Sequence, residues 1–528
     1  IFGQMLEAKA HQKTGNAIKE LMNLSPKEAH LIINNSEKNI PISEVKIGDI
    51  LKVKPGEKIP VDGEIIEGNT TIDESMITGE PIPAEKKMGD KITSGTINGN
   101  QVFLMKTEKI GKDTLLSQII EMVNSASRSK APIQKLTDKV SKIFVPVVMV
   151  ISVLTFVFWY IFGGENRAIF ALVNALAVLI VACPCALGLA TPMSVMVGIG
   201  KGARNGILIK NAEALENLEK VNVIITDKTG TLTEGKPSLT QIFTENIPEN
   251  EAMQFAASLN KNSEHPLSQA VLDKAKFFAS AQNDNLKEVK NFKNISGRGI
   301  LGEIDGKKLF LGNIHYLKEN NFEISENLLQ KAQILENDAN TVSYLTIDGK
   351  AVAVFGFKDK IKENAKSAIQ FLKNKGIEIM MMTGDNEATA KSVAETLGIK
   401  KYIANCLPQD KINKVKDLQN QGKIVAMTGD GINDAPALAQ ANVGIAMGTG
   451  TDIAMNSAEI TLLKGDISGV AKSKILSEKM MKNVKENLFF AFAYNTLGIP
   501  IAAGLLYPIF GILLSPMFAA AAMSFSSV

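Results

Sequence analysis

Residues 221–233 read VNVIITDKTGTLT. Val221, Val223, Ile224 and Ile225 form a nearly uninterrupted β-branched run, the texture of a parallel strand covered on both faces. The run then stops at a carboxylate, Asp227, followed by the turn-forming Lys-Thr-Gly. The same texture recurs in IEIMMMT at 377–383, KIVAMT at 423–428 and NVGIAM at 442–447. Three of these four candidate strands run into an aspartate: Asp227, Asp385 and Asp430. Open α/β sheets gather ligands at the carboxyl ends of their strands, so residues 205–235 and 356–475 are expected to build one α/β domain with a site beside those aspartates. Residues 236–355 break the pattern with helices and a β meander (GRGILGEIDGKKLFLG, SYLTIDGKAVAVF) and read as a separate inserted lobe.

Outward from this block the chain changes character. Of 528 residues, 45% are hydrophobic and 21% charged, too apolar for soluble domains alone and too charged for a bundle of membrane spans. The chain must therefore be a mosaic. Phe144 to Phe162 is uncharged and close to the length that crosses a bilayer. After a turn at 163–168, Ile169 to Met196 is a second uncharged run, interrupted by Pro184 and Pro192. Residues 144–196 thus read as one transmembrane hairpin and 488–528 as another, its two runs (Leu488–Tyr507 and Ile509–Val528) parted by Pro508. Lys139, Lys142, Lys201, Arg204, Lys210, Lys479, Lys482 and Lys485 flank the hairpins on one side and place both polar blocks in the cytoplasm. Residues 1–10 (IFGQMLEAKA) read as the end of a truncated span, and the chain as a fragment. Residues 25–120 alternate short β-like runs with Gly, Pro and Asp turns, as a small β domain would.

Charge and cysteines narrow the classes further. A net charge of +3 with 6% aromatics offers no basic, aromatic-laced face for nucleic acid. Three cysteines cannot build a disulfide framework. Cys183 and Cys185 instead flank Pro184 midway along an apolar run, where polarity is costly and usually functional. A single buried cysteine is ordinarily just a small hydrophobe; two thiolates beside a helix-opening proline suit a soft metal ion such as Cu(I).

The aspartates suit phosphoryl transfer. A strand-end carboxylate such as Asp227 is a nucleophile, Thr229 and Gly230 turn backbone amides toward a phosphate, Lys411 offsets charge, Thr383 adds a hydroxyl, and Asp430 supplies an oxygen for Mg²⁺. Each aspartate singly reads as a turn former; three at the ends of parallel strands in one block do not.

DKTGTLT, MTGDGINDAPAL and TGEP together resemble the P-type ATPases, and CPCALGLATP resembles their heavy-metal, copper-exporting branch. The resemblance covers nearly the whole chain. It implies a multi-domain membrane protein: a helical transmembrane bundle, a mostly β actuator domain, a haloacid-dehalogenase-like α/β phosphorylation domain, and an α+β nucleotide-binding domain inserted in it. It implies ATP as phosphoryl donor to Asp227, with Mg²⁺ held by Asp227, the Thr229 carbonyl and Asp430, and with Lys411, Thr383, Gly384, Asp385, Asn433 and Asp434 around the phosphate. Glu80, in Thr78-Gly79-Glu80, would position water. Glu264 and His265, in Ser263-Glu264-His265-Pro266, would face the adenine. Gly297 and Gly299 belong to a literal GxGxxG that is no dinucleotide fingerprint, because a hairpin turning at Asp305-Gly306 follows it and not a helix. Glycine there would let adenine and ribose approach a sheet.

For the transported ion, Cys183 and Cys185 join Tyr494, Asn495, Met523 and Ser527, which match the copper(I) signature of the last two spans. Zinc and cadmium exporters place a Lys and an Asp in those spans, and here both are uncharged. Cu(I) or Ag(I) is therefore expected, delivered by a soluble copper chaperone, with Glu7 and Asp138 at the membrane entrance. A haloacid-dehalogenase-type phosphatase is the rival chemistry. It would carry an acid two residues after the nucleophile, where this chain has Thr229. A non-catalytic metal-binding membrane protein would not need Asp227, Lys411, Asp430 and Asp434 together.

Overall fold

The computed structural model describes residues 24–33, 36–75, 83–182, 185–263, 266–277, 286–295, 298–338, 340–385, 387–430, 434–448, 456–515 and 517–519; of Cys185–Ala190 and Pro266 it describes the backbone alone. The chain divides into two units, residues 1–220 with 459–464 and 472–528, and residues 221–458 with 465–471.

The first unit begins with strands β1 (Glu28–Ile33), β2 (Ser36–Pro41), β3 (Ile50–Val53), β4 (Asp62–Glu67), β5 (Thr70–Asp73), β6 (Ala84–Lys86), β7 (Lys91–Ile92), β8 (Ile97–Asn98) and β9 (Phe103–Lys109). They form an antiparallel sheet β2-β1-β3-β9-β4-β7 and a smaller one, β6-β5-β8. Alternation in β9 points Phe103, Met105 and Thr107 inward, onto a core with Leu51, Ile59, Ile65 and Ile72. Helix α1 (Leu115–Arg128) starts at the N-cap Thr114 and is tied to this sheet by Asp62, whose two carboxylate oxygens accept from Ser94 N (2.8 Å) and Leu115 N (2.7 Å).

Helices α2 (Pro132–Phe162) and α3 (Arg167–Val181) follow, joined by a turn at Gly163. Two stretches, Leu115–Phe162 and Gly164–Val181, are long and apolar enough to cross a membrane. Their burial separates a membrane helix from a soluble core helix: Val153, Leu154, Ile161 and Phe162 are 62–70% exposed, which only lipid makes tolerable. The run expected as one interrupted span contains two helices, α3, with Ala182 as its C-cap, and α4 (Cys185–Ala203), which holds Pro192 within it. After β10 (Ile207–Ile209), α5 (Ala212–Lys220) ends against a buried lysine further along the chain: Lys474 donates to Leu218 O (3.0 Å) and Glu219 O (2.5 Å), a cation at a helix C-terminus.

The second unit is the α/β block. Its strand β11 (Val223–Asp227) leads into β12 (Thr233–Thr244), α6 (Glu249–Asn260), α7 (Pro266–Ala275), β13 (Lys290–Ile295), β14 (Gly299–Ile304), β15 (Lys307–Gly312), α8 (Ile314–Glu319), α9 (Glu326–Asn337), β16 (Thr341–Ile347) and β17 (Lys350–Ile361). These build the inserted lobe, a six-stranded antiparallel sheet ordered β12-β17-β16-β15-β14-β13. Alternation splits its residues: Leu309, Leu311, Leu345 and Phe355 face α6 and α7, whereas Phe310, Tyr344 and Val354 face α8 and α9. The expected hairpin turns at Asp305 and Gly306, both at positive φ. The lobe's root is a ribbon in which Thr233 pairs with Ile361.

The chain then re-enters the parallel sheet through α10 (Ala365–Asn374), β18 (Glu378–Met382), α11 (Glu387–Leu397), β19 (Lys401–Ile403), α12 (Pro408–Asn420), β20 (Val425–Gly429), α13 (Ala435–Gln440) and β21 (Val443–Met447). All four apolar runs picked out by sequence are strands here, adjacent in the order β21-β20-β11-β18, with β19 added beyond β18, and all are parallel. Met380 and Met382 are core residues beside Val223, Ile225 and Met427.

Strand β22 (Ile460–Leu462) pairs antiparallel with β10, and the long helix α14 (Ile467–Ala502) follows. Of the final apolar run, expected as the second leg of a hairpin, the structure describes residues up to 515 and 517–519, the last three helical. After α14 the chain turns through Gly504 (φ +96°) into the single turn α15 (Tyr507–Phe510), and residues 511–515 are not helical. Gly511 at φ +67° ends α15 there.

Gly299 has a packing reason of its own. At φ +151°, a methyl on it would lie 2.6 Å from the Gly312 Cα and 2.9 Å from the Phe310 ring on the neighbouring strand. Gly299→Ala should therefore weaken the β14–β15 pair by about 1–3 kcal/mol and quicken amide exchange there by about tenfold or more. Unchanged protection would contradict a steric requirement for glycine.

Candidate functional site

The parallel sheet fixes where the site can form. From β11 the sheet grows to one side through β18 and β19, then the chain crosses to the other side for β20 and β21. The order reverses between β11 and β20, and a crevice opens outside their carboxyl ends. Asp227 is the last residue of β11, and Asp430 immediately follows β20. Thr383 follows β18, one position beyond Met382, which pairs with Asp227. Lys411 comes from the first turns of α12 and Asp434 from the N-cap of α13.

These side chains converge. The Lys411 ammonium donates to Asp227 Oδ1 (2.5 Å) and Asp434 Oδ1 (2.7 Å), and all three residues are less than a tenth exposed. Carboxylate oxygens of Asp227, Asp430 and Asp434 lie within 4.8 Å of one another. One buried ammonium cannot balance two buried carboxylates and a half-buried third. Burial, with the charges of Asp434 and Asp430 beside it, pushes the Asp227 carboxyl up to about 7 against the opposing pull of Lys411. Burial and Asp434 likewise raise Asp430. Against the burial that would lower it, the two carboxylates hold the Lys411 ammonium above its usual range.

An excess of hard, anionic oxygen donors at one point is what Mg²⁺ takes, with its remaining positions left to water and phosphate. The donor set fits that ion. Asp434 belongs to the same carboxylate group as the two expected ligands while also neutralising Lys411. Thr229 lies exposed in the turn after β11. Backbone shape matters next to it: Gly230 has φ +69°, and a methyl there would coincide with the Asp430 carboxylate. A methyl on Gly429 would lie 2.5 Å from Asp434 Oδ2.

The other expected phosphate-site residues divide. Thr383 is buried, its hydroxyl accepting from Asp385 N (3.1 Å), with Gly384 between them. Asp385 forms an ion pair with Lys228, the residue after the nucleophile candidate. Asn433 lies outside the described residues, as do Glu80, Glu264, His265, Gly297, Glu7, Met523, Ser527, Cys183 and the Cys185 side chain. In the membrane helices, Tyr494 and Asn495 lie on α14, and the Tyr494 hydroxyl and Asn495 Oδ1 are buried without a partner. Asp138, near the start of α2, pairs with Lys130 at 2.9 Å. Cys406 is a buried free thiol directed at the Ile403 carbonyl (3.3 Å), a structural residue.

Sequence reasoning missed Lys362. It follows β17, and its ammonium donates to the carbonyls of Gly230, Thr231 (3.3 Å) and Gly465 (2.6 Å). Its own backbone N–H donates to Leu232 O (3.0 Å), and Thr233 Oγ1 donates to Asp359 Oδ2 (2.6 Å). The root of the lobe is thereby fastened to the turn that shapes the nucleophile. Burial pushes the Lys362 ammonium down, with Asp466, Asp430 and Asp359 opposing. No periodicity marks a lysine in DKIK; the sequence signal available was its place where the chain rejoins the sheet.

With this geometry in place, comparison with known proteins is informative. Residues 23–124 match the family described as P-type ATPase actuator domain, and residues 221–442 match the haloacid dehalogenase-like hydrolases. The whole chain is 51% identical to a copper-exporting P-type ATPase of Legionella pneumophila, spanning 71% of that protein. It is 49% identical to a copper-transporting P-type ATPase of Rhizobium leguminosarum and 48% identical to a silver exporting P-type ATPase of Salmonella typhimurium, spanning 62% and 64% of them. Among solved structures, a zinc-transporting PIB-type ATPase in an E2.Pi state is similar with a TM-score of 0.63 at 28% identity, over 98% of this chain and 83% of that one.

The raised Asp227 pKa has a measurable sign. In the metal-free protein its folded value of about 7 exceeds the unfolded value of about 3.9. The folded state therefore binds the extra proton between those values. This carboxyl favours folding in acid, and that contribution is lost as pH rises through about 7. A divalent cation meets the ionised site, so Mg²⁺ should raise the thermal midpoint more at about pH 8 than at about pH 5.5, and Asp430→Asn should blunt the difference. An equal rise at both pH values would remove these carboxylates as the Mg²⁺ site.

Proposed function

Because the chain belongs to the P-type ATPases, we propose that the whole protein exports Cu(I) across a membrane, driven by ATP through an aspartyl-phosphate on Asp227. The observation that carries this reading is Asp227 itself, buried at the switch point of the sheet and held by Lys411 beside two further aspartates. ATP would dock in the inserted lobe, with Glu264 and His265 toward the base. Asp227 Oδ attacks the γ-phosphorus and ADP leaves. Lys411 orients the nucleophile and pulls it toward its ionised form, and the Thr383 hydroxyl and the Lys228–Asp385 pair border the phosphoryl position. Asp227, Asp430 and Asp434 would hold Mg²⁺, which supplies charge stabilisation to the transferring phosphoryl group.

Attack proceeds without a general acid, since Thr229 stands where a phosphatase would carry one. ADP needs little protonation to leave. The acyl phosphate then persists until Glu80 directs water at it, and that lifetime gives the membrane helices time to change access.

Copper is favoured over zinc by the ligand chemistry. Two thiolates bind a monovalent soft ion without a further carboxylate, and residues 488–528 contain no charged side chain. The relatives near half identity are named for copper or silver, whereas the zinc transporter is similar at 28% identity. Delivery would come from a soluble Cu(I) carrier, with Glu7 and Asp138 at the entrance.

Asp227→Asn in the full-length protein should abolish acid-stable, hydroxylamine-sensitive labelling from γ-labelled ATP; undiminished label would sink the nucleophile assignment. Cys183→Ser with Cys185→Ser should remove Cu(I)-stimulated turnover and leave labelling by inorganic phosphate intact. Stimulation of the parent by Zn²⁺ and not by Cu(I) or Ag(I) would overturn the choice of ion.

A further inference from the structure

Buried polar side chains in the membrane helices of the first unit are of two kinds. Ser152 Oγ, Thr155 Oγ1 and Trp159 Nε1 donate to backbone carbonyls, of Ala175 (2.9 Å), Ile151 (2.8 Å) and Ala503 (2.9 Å). The first and third stitch α2 to its neighbours, and the second caps a carbonyl within α2. Asn174 behaves otherwise. It is 0% exposed, and neither its Oδ1 nor its Nδ2 has a hydrogen-bond partner. A buried carboxamide with no partner is expensive in any protein interior and more so in hydrocarbon, so it is not there as glue.

Its place on α3 is specific. Ile169, Leu172, Leu176 and Leu179 form the outward, lipid-facing side of the helix. The opposite side carries Ala177, Val178 and Val181, which pack with Val148, Ile499 and Ala502, and Val181 lies directly against Gly498 of α14. At about 100° per residue, Asn174 falls at the middle of that inward side. It lies seven residues before Val181, about 10 Å along the axis at 1.5 Å per residue, toward the Gly163 turn. The lysines that flank α2 and α4 put that turn on the face opposite the cytoplasm. In the sequence Asn174 stands between that turn and the Cys183–Cys185 segment, on the side toward which an exported ion must travel. Among the described residues of the membrane helices, three other buried polar atoms lack partners: Thr191 Oγ1 on α4, and the Tyr494 hydroxyl and Asn495 Oδ1 on α14.

We propose that Asn174 is the polar station of the release half of the ion path, holding water when that half opens and offering its Oδ1 to the soft monovalent cation as it leaves the thiolates. This rests on the exporter reading above. An amide oxygen is a weak ligand for a soft ion. Weakness suits the role, because a station in a conduction path must bind well enough to admit the ion and poorly enough to pass it on. The orphaned donor and acceptor are then the resting form of a site that is hydrated only in the releasing state.

The test compares Asn174→Leu and Asn174→Ser with the full-length parent in native-like membranes. Asn174→Leu removes the polar group and fills its volume. It should bind Cu(I) through sulfur as the parent does, judged by X-ray absorption, and form the phosphoenzyme from ATP at the parental level. Its steady-state turnover should fall about tenfold while its thermal midpoint stays equal or rises. Asn174→Ser, which keeps a hydroxyl and room for water, should recover most of that turnover. Parental turnover in Asn174→Leu overturns the proposal and leaves the exporter reading standing. So does equal loss of sulfur-coordinated Cu(I) and of turnover, which would place Asn174 in the thiolate site itself. If Asn174→Leu does not fold, Asn174→Ser with turnover as low as Asp227→Asn overturns it too. A parent without Cu(I)- or Ag(I)-dependent phosphoenzyme removes the exporter reading and this proposal with it.

Discussion

A single ammonium, that of Lys411, is clamped between Asp227 and Asp434 in a place water hardly reaches. Taken alone the arrangement is poor for stability, since burying such charges forfeits their hydration. It makes sense as a site assembled for charges that come and go. The third carboxylate, Asp430, leaves the group too negative to be at ease without a cation, and the arriving phosphoryl group leaves it more so. Much of the second unit is arranged around this imbalance: Gly230 and Gly429 omit side chains so that carboxylates can close in, and Lys228 is spoken for by Asp385.

The sheet could be read from sequence because its strands are buried on both faces, and burial on both faces writes itself as an unbroken apolar run. The four runs at 221, 377, 423 and 442 are adjacent parallel strands; of the three aspartates at their ends Asp227 and Asp430 meet, whereas Asp385 pairs with Lys228. Residues whose role lies in tertiary distance left no such trace. Lys362 is one lysine among many until the lobe's return strand brings it under the carbonyls of Gly230 and Thr231. Asn174 sits in a run whose length and lack of charge announce a membrane span, and a hydropathy reading passes over one amide. Only the burial of both its polar atoms singles it out.

The membrane segments were legible in outline and not in detail. Lack of charge identified the spans, whereas Pro192, expected to interrupt one, lies inside α4. Beyond Pro508 the same logic suggests a second helix; of the described residues there, 511–515 are not helical, with a glycine in the left-handed region at position 511, and 517–519 are. Composition reports that a segment prefers lipid; it does not report where the backbone will stay helical.

The ribbon at the root of the lobe bears on how the chain finds this structure. Strands β11 and β18 lie side by side at the centre of the sheet, yet they are separated by on the order of 150 residues of chain. A disordered loop of that length would make their meeting slow and would leave unpaired edges open to aggregation. Because Thr233 pairs with Ile361, the lobe enters and leaves at one point. Once it has folded on itself, the two core strands are kinetic neighbours separated by a short tether. The insertion then acts as a clasp, and its collapse before the parallel sheet closes is the order of events that its topology favours.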